Sequence, residues 1–524
     1  MSLLNAEHRF LCGASRELIA TNPFLPRWQD QVREILGDQY VQKSSHWADE
    51  SPGGVADPNV VKLRDRCGRA AREILARLKT HANASESELS LYESLVLFYL
   101  YHEYRADLTR TIQSLTRSTG RRPVDWYPRF EAQATELLNP SGRRLPHGLD
   151  PGHLLAFCFQ MRRAFQHIFD HLVGRSESAV RLRAAAWQSI FTHDVWRYAR
   201  SLYSRMNRIP TLITGPSGTG KELVARAIGL SGYIPFDVQS AAFAENFGDL
   251  FYSVNLSSLP HSLIESELFG HRKGAFTGAL RDQVGWFESC RPLGAILLDE
   301  IGEIEPWIQV KLLRVLHTGT FQRIGETRVR EFHGKVICAS NRDLHREMRE
   351  GRFRADLYYR ICADQVATSS LEEQVSGSRE ELRHLVSFIA RREGGEDAEA
   401  LTEDVMVFIE THLGLDYSWP GNFRELEQCV RNVLVHNEYR PLSGADPQGL
   451  LDSLSSDFLS AKLPVEQVIR RYVTLVYARE KSYEAAAKVL GMDRRTVKAK
   501  VDPSLLDRVF SRLPPQTPGS HRHP

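Results

Sequence analysis

Residues 211–222 read TLITGPSGTGKE, an apolar run that leads into a glycine-rich loop ending in a lysine. The apolar run predicts a buried strand, and the residues after the loop predict a helix. Gly215, Gly220 and Lys221 fit the pattern G-x-x-x-x-G-K, in which backbone N–H groups surround phosphate oxygens and the lysine neutralises them. Glu222 replaces the usual serine or threonine, and a chance glycine turn is the alternative. The strand–loop–helix context favours a nucleotide site in an α/β domain.

A second apolar run ends in two acidic residues. Residues 294–303 read GAILLDEIGE, which predicts a buried strand with Asp299 and Glu300 at its carboxyl end, where α/β folds bind ligands. Asp299 is suited to hold Mg²⁺ through water, and Glu300 is suited to orient and deprotonate an attacking water. Adjacent acids at a strand end are often only a solvated turn. The phosphate loop upstream favours the catalytic interpretation.

Composition limits the class of protein. The chain has 524 residues, of which 42% are hydrophobic and 25% are charged, as is ordinary for soluble globular proteins. The longest apolar or aromatic run, Leu95–Tyr101, is too short to span a bilayer, and the N-terminus does not read as a signal peptide. Seven cysteines without paired spacing predict reduced thiols and neither a disulfide framework nor a zinc site. We therefore expect a cytoplasmic protein.

The pattern along the chain divides it into four structured segments and a tail. Residues 1–173 show helical periodicity, residues 174–368 alternate short strands with helices, residues 369–440 are helical, and residues 461–512 form a further small helical unit. The tail, residues 513–524, is predicted to be disordered. No motif in the first segment reveals a ligand, so a regulatory role and a role in oligomerisation both stay open for it.

The last helix before residue 174 has regularly spaced apolar residues. They follow a 4-3-4-3-4 spacing at Leu154, Cys158, Met161, Phe165, Ile168 and Leu172. This spacing is compatible with a short coiled-coil linker and with a helix that faces a core. Because it covers fewer than three heptads, it favours the core-facing helix.

Residues 482–501, SYEAAAKVLGMDRRTVKAKV, predict a helix-turn-helix. Gly491 makes the turn and Asp493 caps the second helix. That helix projects four polar side chains that can contact DNA: Arg494, Arg495, Thr496 and Lys498. From Ala461 to Pro524 there are 13 Lys+Arg and 6 Asp+Glu, a formal charge of +7, against +2 for the whole chain. A simple helical hairpin is the alternative, but the charge favours a DNA-binding unit.

Residues 274–279 read GAFTGA, four small residues around one phenylalanine and one threonine. Two glycines make the backbone of such a loop permissive. One interpretation is a surface turn whose Phe276 folds back into a local pocket. The other is a finger that presents Phe276 and Thr277 to a partner.

These motifs together carry a family resemblance. The stretch from Gly174 to Leu434, about half of the chain, resembles the AAA+ central domain of sigma-54-dependent transcriptional activators, the bacterial enhancer-binding proteins. Its phosphate loop looks like the family's Walker A, in which glutamate after the lysine is normal. The resemblance implies that nucleotide is bound by Gly215, Pro216, Ser217, Gly218, Thr219, Gly220, Lys221 and Glu222. Residues 297–303, LLDEIGE, look like Walker B, with Asp299 for magnesium and Glu300 as the catalytic base.

Three single residues match further family positions. Asn255 corresponds to the asparagine that, in the family, switches the catalytic glutamate. Asn341 corresponds to sensor I and follows Ser340, where threonine is commoner. Arg424, in WPGNFRELE, corresponds to sensor II and is implied to contact bound nucleotide from the lid.

Arg354 and Arg360 lie six residues apart in GRFRADLYYR. Taken alone they are either surface charges or groups that reach the γ-phosphate bound by a neighbouring subunit. In the family they correspond to the two arginine-finger positions. Action on a neighbour's nucleotide requires a ring, and the resemblance implies a hexamer.

The GAFTGA loop is, letter for letter, the family's sigma-54-contacting loop. The resemblance implies that sigma-54 is contacted by Gly274, Ala275, Phe276, Thr277, Gly278 and Ala279. The C-terminal segment is similar to the Fis-type DNA-binding domain of the same family. Two stretches depart from the family pattern: an extra segment at residues 233–251, YIPFDVQSAAFAENFGDLF, and ATSSLEEQ at residues 367–374, where the family has a proline-rich stretch.

The resemblance implies a fold class and a function. The expected fold is an α/β AAA+ P-loop ATPase domain with a helical lid, preceded by an all-helical N-terminal domain and followed by a small helix-turn-helix domain. The expected cofactors are ATP and Mg²⁺, and the expected partners are sigma-54 RNA polymerase holoenzyme, double-stranded DNA upstream of promoters and further copies of the chain, but no membrane. The expected function is ATP-hydrolysing activation of transcription.

Two other functions stay open. One is an ATP-regulated DNA-binding repressor or scaffold that acts without sigma-54, and the other is a general AAA+ remodeller of proteins. The GAFTGA loop argues against the first, and the helix-turn-helix argues against the second.

Overall fold

The computed structural model describes residues 3–42, 57–80, 84–116, 120–140, 145–441 and 465–502. The chain divides into two compact units, Met1–Leu434 and Val435–Pro524. The predicted tail and the outer parts of the predicted helix-turn-helix domain, residues 461–464 and 503–512, lie outside the described residues. None of the helices in the described ranges combines the length and the apolar character needed to cross a membrane.

The described part of the N-terminal segment is helical, as its periodicity predicts. Its α-helices are α1 Ala6–Ala20, α2 Pro26–Leu36, α3 Pro58–Thr80, α4 Glu86–Glu103, α5 Arg105–Thr116, α6 Tyr127–Leu138 and α7 Pro151–His171. Helix α4 begins at a capping box, in which Ser85 Oγ accepts from the Glu88 N–H and Glu88 accepts from the Ser85 N–H. Helix α7 is buried on more than one side, since Leu154, Leu155 and Phe159 are all in the core. The structure therefore supports the core-facing interpretation of this helix.

The central segment is an α/β fold. Its strands are β1 Thr211–Thr214, β2 Phe236–Asp237, β3 Ala242–Phe243, β4 Phe251–Asn255, β5 Ala295–Asp299, β6 Thr320–Phe321, β7 Arg330–Glu331, β8 Lys335–Ser340 and β9 Asp364–Ala367. Its helices are α8 Glu177–Phe191, α9 Val195–Arg197, α10 Lys221–Gly229, α11 His261–Phe269, α12 Trp286–Ser289, α13 Pro306–Thr318, α14 Leu344–Arg349 and α15 Ala355–Ile361. Five of these strands form one sheet in the order β4-β5-β8-β1-β9, and every neighbouring pair in it is parallel.

The five-stranded sheet is covered on both faces, which explains its continuous apolar strands. On one face, alternate residues such as Ile213 and Leu297 pack with α7, α8 and α10. On the other face, their neighbours Leu212 and Leu298 pack with α11, α13 and α15. Because the strands are parallel, their carboxyl ends meet at one edge of the sheet, and that edge carries the end of β1 and the end of β5.

The extra segment, residues 233–251, packs on the N-terminal helices. Strands β2 and β3 pair as an antiparallel hairpin, and the Phe243 ring stacks on Phe159 of α7 with 4.0 Å between centroids. The guanidinium of Arg163, also on α7, lies over the rings of Phe159 and Phe247 at 5.2 and 5.0 Å. Such contacts stabilise most where the cation is shielded from water. This segment therefore joins the hydrophobic core of the N-terminal helices to the α/β fold.

Helices follow the last strand of the sheet. They are α16 Leu371–Val375, α17 Arg379–Glu393, α18 Ala398–Phe408 and α19 Asn422–His436. The unusual stretch at residues 367–374 contains most of α16, whose first turn is capped by Ser370 Oγ accepting from the Glu373 N–H at 3.1 Å. The amide of Asn422 accepts from the Leu371 N–H at 2.8 Å and so ties α19 to the start of this helix.

The second unit contains three described helices, α20 Val465–Glu480, α21 Tyr483–Leu490 and α22 Arg494–Lys500. Val473, Ala486 and Val497, one from each helix, form its buried centre. Gly491 has φ +63° between α21 and α22, a left-handed conformation that glycine adopts without strain. The described part of this unit thus has two short helices joined at a glycine turn, and its assignment as a helix-turn-helix stays a prediction.

Candidate functional site

The glycine-rich loop connects β1 to α10 and wraps closely against other parts of the fold. Gly218 has φ +77°, and a Cβ atom there would lie 2.3 Å from the Gly421 carbonyl oxygen. A Cβ atom on Gly215 would lie 2.1 Å from Thr368 Oγ1. Both positions therefore exclude larger residues. The loop ends at Lys221, the first residue of α10, so the helix N-terminus faces the loop.

Lys221 lies opposite the two acidic residues. Its Nζ donates to the carbonyl oxygens of Gly215 and Pro216, both at 3.0 Å. Burial lowers the pKa of the Lys221 ammonium, while the nearby carboxylates of Glu300 and Asp299 oppose that shift. The carboxylates of Asp299 and Glu300 therefore favour the charged form of Lys221.

Asp299 and Glu300 follow β5 at the carboxyl edge of the sheet. Glu300 has φ +58°, a left-handed conformation that is uncommon for residues other than glycine and is enriched at functional sites. Its Oε2 accepts from the Asn341 N–H at 3.2 Å, which brings the sensor I candidate beside the candidate base. Asp299 Oδ1 accepts from the Glu300 N–H at 3.0 Å.

A cavity of about 300 Å³ lies between these groups and two of the helices that follow the sheet, α17 and α19, which correspond to the predicted lid. The predicted nucleotide residues from Ser217 to Glu222, together with Asp299, Glu300 and Arg424, all line it. Arg424 Nη1 donates to Ser217 Oγ at 3.2 Å, so the sensor II candidate reaches the phosphate loop from α19. Asn422 Nδ2 also donates to the Ser217 carbonyl oxygen at 2.9 Å.

Several cavity residues were missed by sequence reasoning. The end of α7 contributes His171 and Leu172, and α8 contributes Leu182. The lid adds an apolar wall: Leu385, Phe388, Ile389 and Phe423. These residues are ordinary apolar positions of amphipathic helices, and no local signal marks them. Asn422 was detectable, because it stands within the sensor II motif.

Three predicted catalytic residues lie outside this cavity in the single chain. Asn255 lies beside Asp299 in the sheet register, but its Oδ1 accepts from the Ser257 N–H at 3.0 Å and makes no bond to Glu300. Arg354 forms an ion pair with Asp356 at 2.7 Å. Arg360 Nε and Nη2 donate to the Leu316 carbonyl oxygen at 2.9 and 2.7 Å.

The residues of the cavity fit ATP and Mg²⁺. The tight glycine loop and the helix N-terminus suit phosphate oxygens, and Lys221 supplies the positive charge. No cluster of three or more histidine, cysteine, aspartate or glutamate ligands occurs among the described residues. Mg²⁺ does not need one, because it is usually bound by one or two carboxylates, phosphate oxygens and water. Asp299 and Glu300 contribute two such carboxylates to the cavity wall.

The GAFTGA loop stands away from this cavity at an exposed turn. The Gly274 N–H donates to the Ala279 carbonyl oxygen at 2.8 Å and closes the loop at its base. Gly274 and Gly278 have φ +82° and +100°. Phe276 is 38% exposed and its ring meets the His271 ring edge-on at 5.0 Å, while Thr277 is exposed. The loop therefore presents an aromatic ring and a hydroxyl to solvent and still has a fixed base.

The base of the GAFTGA loop contacts the segment between β6 and β7. Arg272 forms an ion pair with Asp282 at 2.5 Å across the loop, and the Arg272 N–H donates to the Ile324 carbonyl oxygen at 3.0 Å. Ile324 lies between β6 and β7. A Cβ atom on Gly325 would lie 2.8 Å from Ala275 Cβ, so the two loops are in close contact.

The predicted DNA-reading residues lie on α22 in the second unit. Asp493 caps the helix by accepting from the N–H groups of Arg495 and Thr496 at 2.9 and 3.0 Å. Arg495 and Lys498 are exposed, whereas Arg494 is ion-paired with Glu484 of α21 at 3.1 Å. The hydroxyl of Thr496 is bonded to Asp493.

Comparison with known proteins finds a family match for the central segment. Residues 189–367 match the family model described as the sigma-54 interaction domain. The regulatory protein LuxO of Vibrio cholerae is 36% identical over 281 residues, which are 52% of this chain and 57% of that protein. The Nif-specific regulatory protein of Azotobacter vinelandii is 36% identical over 244 residues, 46% of this chain and 43% of that protein. The chain thus spans about half the length of the curated relatives it matches.

One solved structure gives a weaker likeness. NtrX from Brucella abortus is 23% identical, with 72% of this chain and 79% of that chain covered, at a TM-score of 0.38. This likeness is too weak to add to the evidence for the fold.

Proposed function

Since residues 189–367 are a sigma-54 interaction domain, we propose that the protein is an ATP-hydrolysing transcriptional activator that remodels the sigma-54 RNA polymerase closed complex. The observation that carries this proposal is the exposed GAFTGA loop, with Phe276 and Thr277 at its surface, in the same domain as a complete phosphate-binding loop. Polymerase and promoter DNA as partners imply a cytoplasmic location.

In this proposal the cavity residues divide the work of hydrolysis. Lys221 and the loop N–H groups bind the phosphates, and Asp299 holds Mg²⁺, which when bound neutralises charge on the phosphate oxygens. Glu300 orients and deprotonates the attacking water, and the Asn341 N–H holds its carboxylate in place. Arg424 reports the nucleotide to the lid through its contact with the phosphate loop. Asn255 reaches Glu300 only after leaving Ser257.

The GAFTGA loop is the proposed output of this ATPase. Its glycines permit movement, while the Arg272–Asp282 pair and the contact with Gly325 link its base to the neighbouring hairpin. Phe276 supplies an apolar contact and Thr277 a hydrogen bond to sigma-54. Promoter selectivity is proposed to come from the second unit, where α22 presents Arg495 and Lys498 to double-stranded DNA. Arg494 and Thr496 join them only by leaving their intramolecular partners.

In vitro transcription tests this function against the two alternatives. The full chain with ATP should open a sigma-54 promoter when the polymerase carries sigma-54, and should have no effect on polymerase carrying another sigma factor. A nonhydrolysable ATP analogue should not support opening. A repressor or scaffold would bind DNA without opening either promoter, and a general remodeller would show ATPase activity without sigma-54 dependence.

Arg354 and Arg360 are proposed to act on the nucleotide of a neighbouring subunit. Neither lines the cavity of its own chain, which supports action across a subunit boundary in a ring. Arg360→Ala alone and Lys221→Ala alone should each lose turnover, by about 10³-fold or more for the arginine. A mixture of the two chains should recover ATPase activity, because a Lys221→Ala subunit supplies Arg360 to the intact site of its neighbour.

The control for the mixing experiment is Arg346→Ala. It removes an exposed arginine of α14 that is paired with Glu350, and it should keep full turnover. Mixtures that are no more active than the separate variants would contradict action in trans.

A further inference from the structure

A second cavity lies among helices α1, α4, α7, α8 and α9. Its volume is about 100 Å³. Most of its wall is apolar, with Leu97 from α4, Leu154 and Phe157 from α7, Trp187 from α8 and Val195 from α9. It therefore lies at the junction between the N-terminal helices and the start of the sigma-54 interaction domain, within one compact unit.

Two buried polar atoms on lining residues lack partners. Trp196 Nε1 and His102 Nδ1 are both buried, and neither has a hydrogen-bond partner among the described residues. An indole N–H can only donate, so Trp196 needs an acceptor. Buried polar groups are nearly always hydrogen-bonded, and an unpaired one in a native structure calls for a missing partner.

The charges around the cavity favour an acceptor that is negative. Arg105 and Arg162 line it, and none of the described lining residues is an aspartate or glutamate. Burial and these arginines lower the pKa of the His102 imidazole to about 3, so His102 is neutral near pH 7. A neutral histidine adds no cation, but the two guanidinium groups still attract an anion.

We propose that this cavity binds a short aliphatic carboxylate of about three to five carbon atoms. The size follows from the volume, since an apolar protein cavity of about 150 Å³ is known to take benzene and this cavity is smaller, at about 100 Å³. The apolar wall accommodates the aliphatic chain, Trp196 Nε1–H donates to the carboxylate, and Arg105 and Arg162 supply the favourable field.

Helices α7 and α8 connect this cavity to the nucleotide site. Along α7, Leu154 and Phe157 line the apolar cavity, while the helix end at His171 lines the nucleotide cavity. Along α8, Trp187 lines the apolar cavity and Leu182 lines the nucleotide cavity. Both helices also pack on α10, which begins at Lys221. Occupation of the apolar cavity therefore changes nucleotide affinity, a coupling that rests on the proposed ATPase function.

The test uses two fluorinated probes and the full-length protein. 4,4,4-Trifluorobutanoate carries an apolar chain and the carboxylate, and 1-fluorobutane carries the chain alone. Binding is measured by ¹⁹F NMR titration. Trp196→Phe should weaken binding of 4,4,4-trifluorobutanoate roughly tenfold, because it removes one donor to a charged group, and should leave binding of 1-fluorobutane unchanged. Val195→Phe fills the cavity and should abolish binding of both probes. Trp307→Phe, at an exposed tryptophan of α13, is the matched control and should bind both as the wild type does.

Three results would overturn the proposal. Failure of the wild type to bind 4,4,4-trifluorobutanoate removes the site, and equal binding of 4,4,4-trifluorobutanoate by wild type and Trp196→Phe removes the assigned donor. Unchanged ATP affinity at saturating 4,4,4-trifluorobutanoate removes the coupling, for which we expect a change of at least about fivefold. Probe binding is measured in the absence of nucleotide. The NMR result therefore does not depend on whether the protein is an ATPase.

Discussion

Glu300→Gln is expected to lower ATP turnover by about 10²–10⁴-fold while ATP still binds. The amide keeps the size of the side chain, but it cannot take a proton from water. Lys221 and the glycine loop, which are proposed to bind the phosphates, are unchanged by this substitution. Steady-state phosphate release gives the turnover, and titration with a fluorescent ATP analogue gives the affinity.

Lys221→Ala provides the contrasting variant. It removes the ammonium of the phosphate loop and should weaken ATP binding by about 10–100-fold, the loss expected for a hydrogen bond to a charged group. Glu305→Gln also removes one carboxylate charge, five residues further along the chain. It should change neither ATP turnover nor ATP affinity. Normal turnover by Glu300→Gln would show that Glu300 is not the base.

Thr277→Ala is expected to abolish promoter opening and to leave ATP hydrolysis and DNA binding intact. Thr277 lies at the exposed tip of a loop that does not line the nucleotide cavity, and the predicted DNA-reading residues belong to the other unit of the chain. Gly274 and Gly278 keep their backbone freedom in this variant, so the loop still moves. Open-complex formation on a sigma-54 promoter, phosphate release and DNA binding are measured on the same preparation.

Two conservative variants identify which part of Thr277 matters. Thr277→Val keeps the shape and removes the hydroxyl, whereas Thr277→Ser keeps the hydroxyl and removes the methyl group. If the hydroxyl bonds sigma-54, the serine variant opens promoters and the valine variant does not. Phe276→Ala should weaken sigma-54 binding by roughly 30-fold, as loss of a central aromatic contact does at small interfaces. Normal promoter opening by Thr277→Ala would restore the interpretation of this loop as a plain surface turn.

Local sequence was sufficient to predict which residues meet at the candidate nucleotide site. The strand, the glycine loop and Lys221 are consecutive, and so are the apolar strand and its two acids, so their geometry depends on short-range backbone preferences. The carboxyl-edge rule for parallel strands then brings the two segments together without knowledge of the full topology. The turn at Gly491 and the helix cap at Asp493 were predictable for the same reason, because each depends on neighbouring residues only.

Contacts between distant segments were decided only by the tertiary structure. Helical periodicity predicts that one side of α7 is buried, but it does not say that one end of this helix lines the nucleotide cavity and the other an apolar cavity. Residues 233–251 stood out only as extra length, and their packing on Phe159 and Arg163 depends on which surfaces meet. Hydrophobic burial is non-directional, so apolar residues specify that they are covered but not by which partner. The ion pair that holds Arg494, and the carbonyl that holds Arg360, likewise follow from the folded chain and from no local motif.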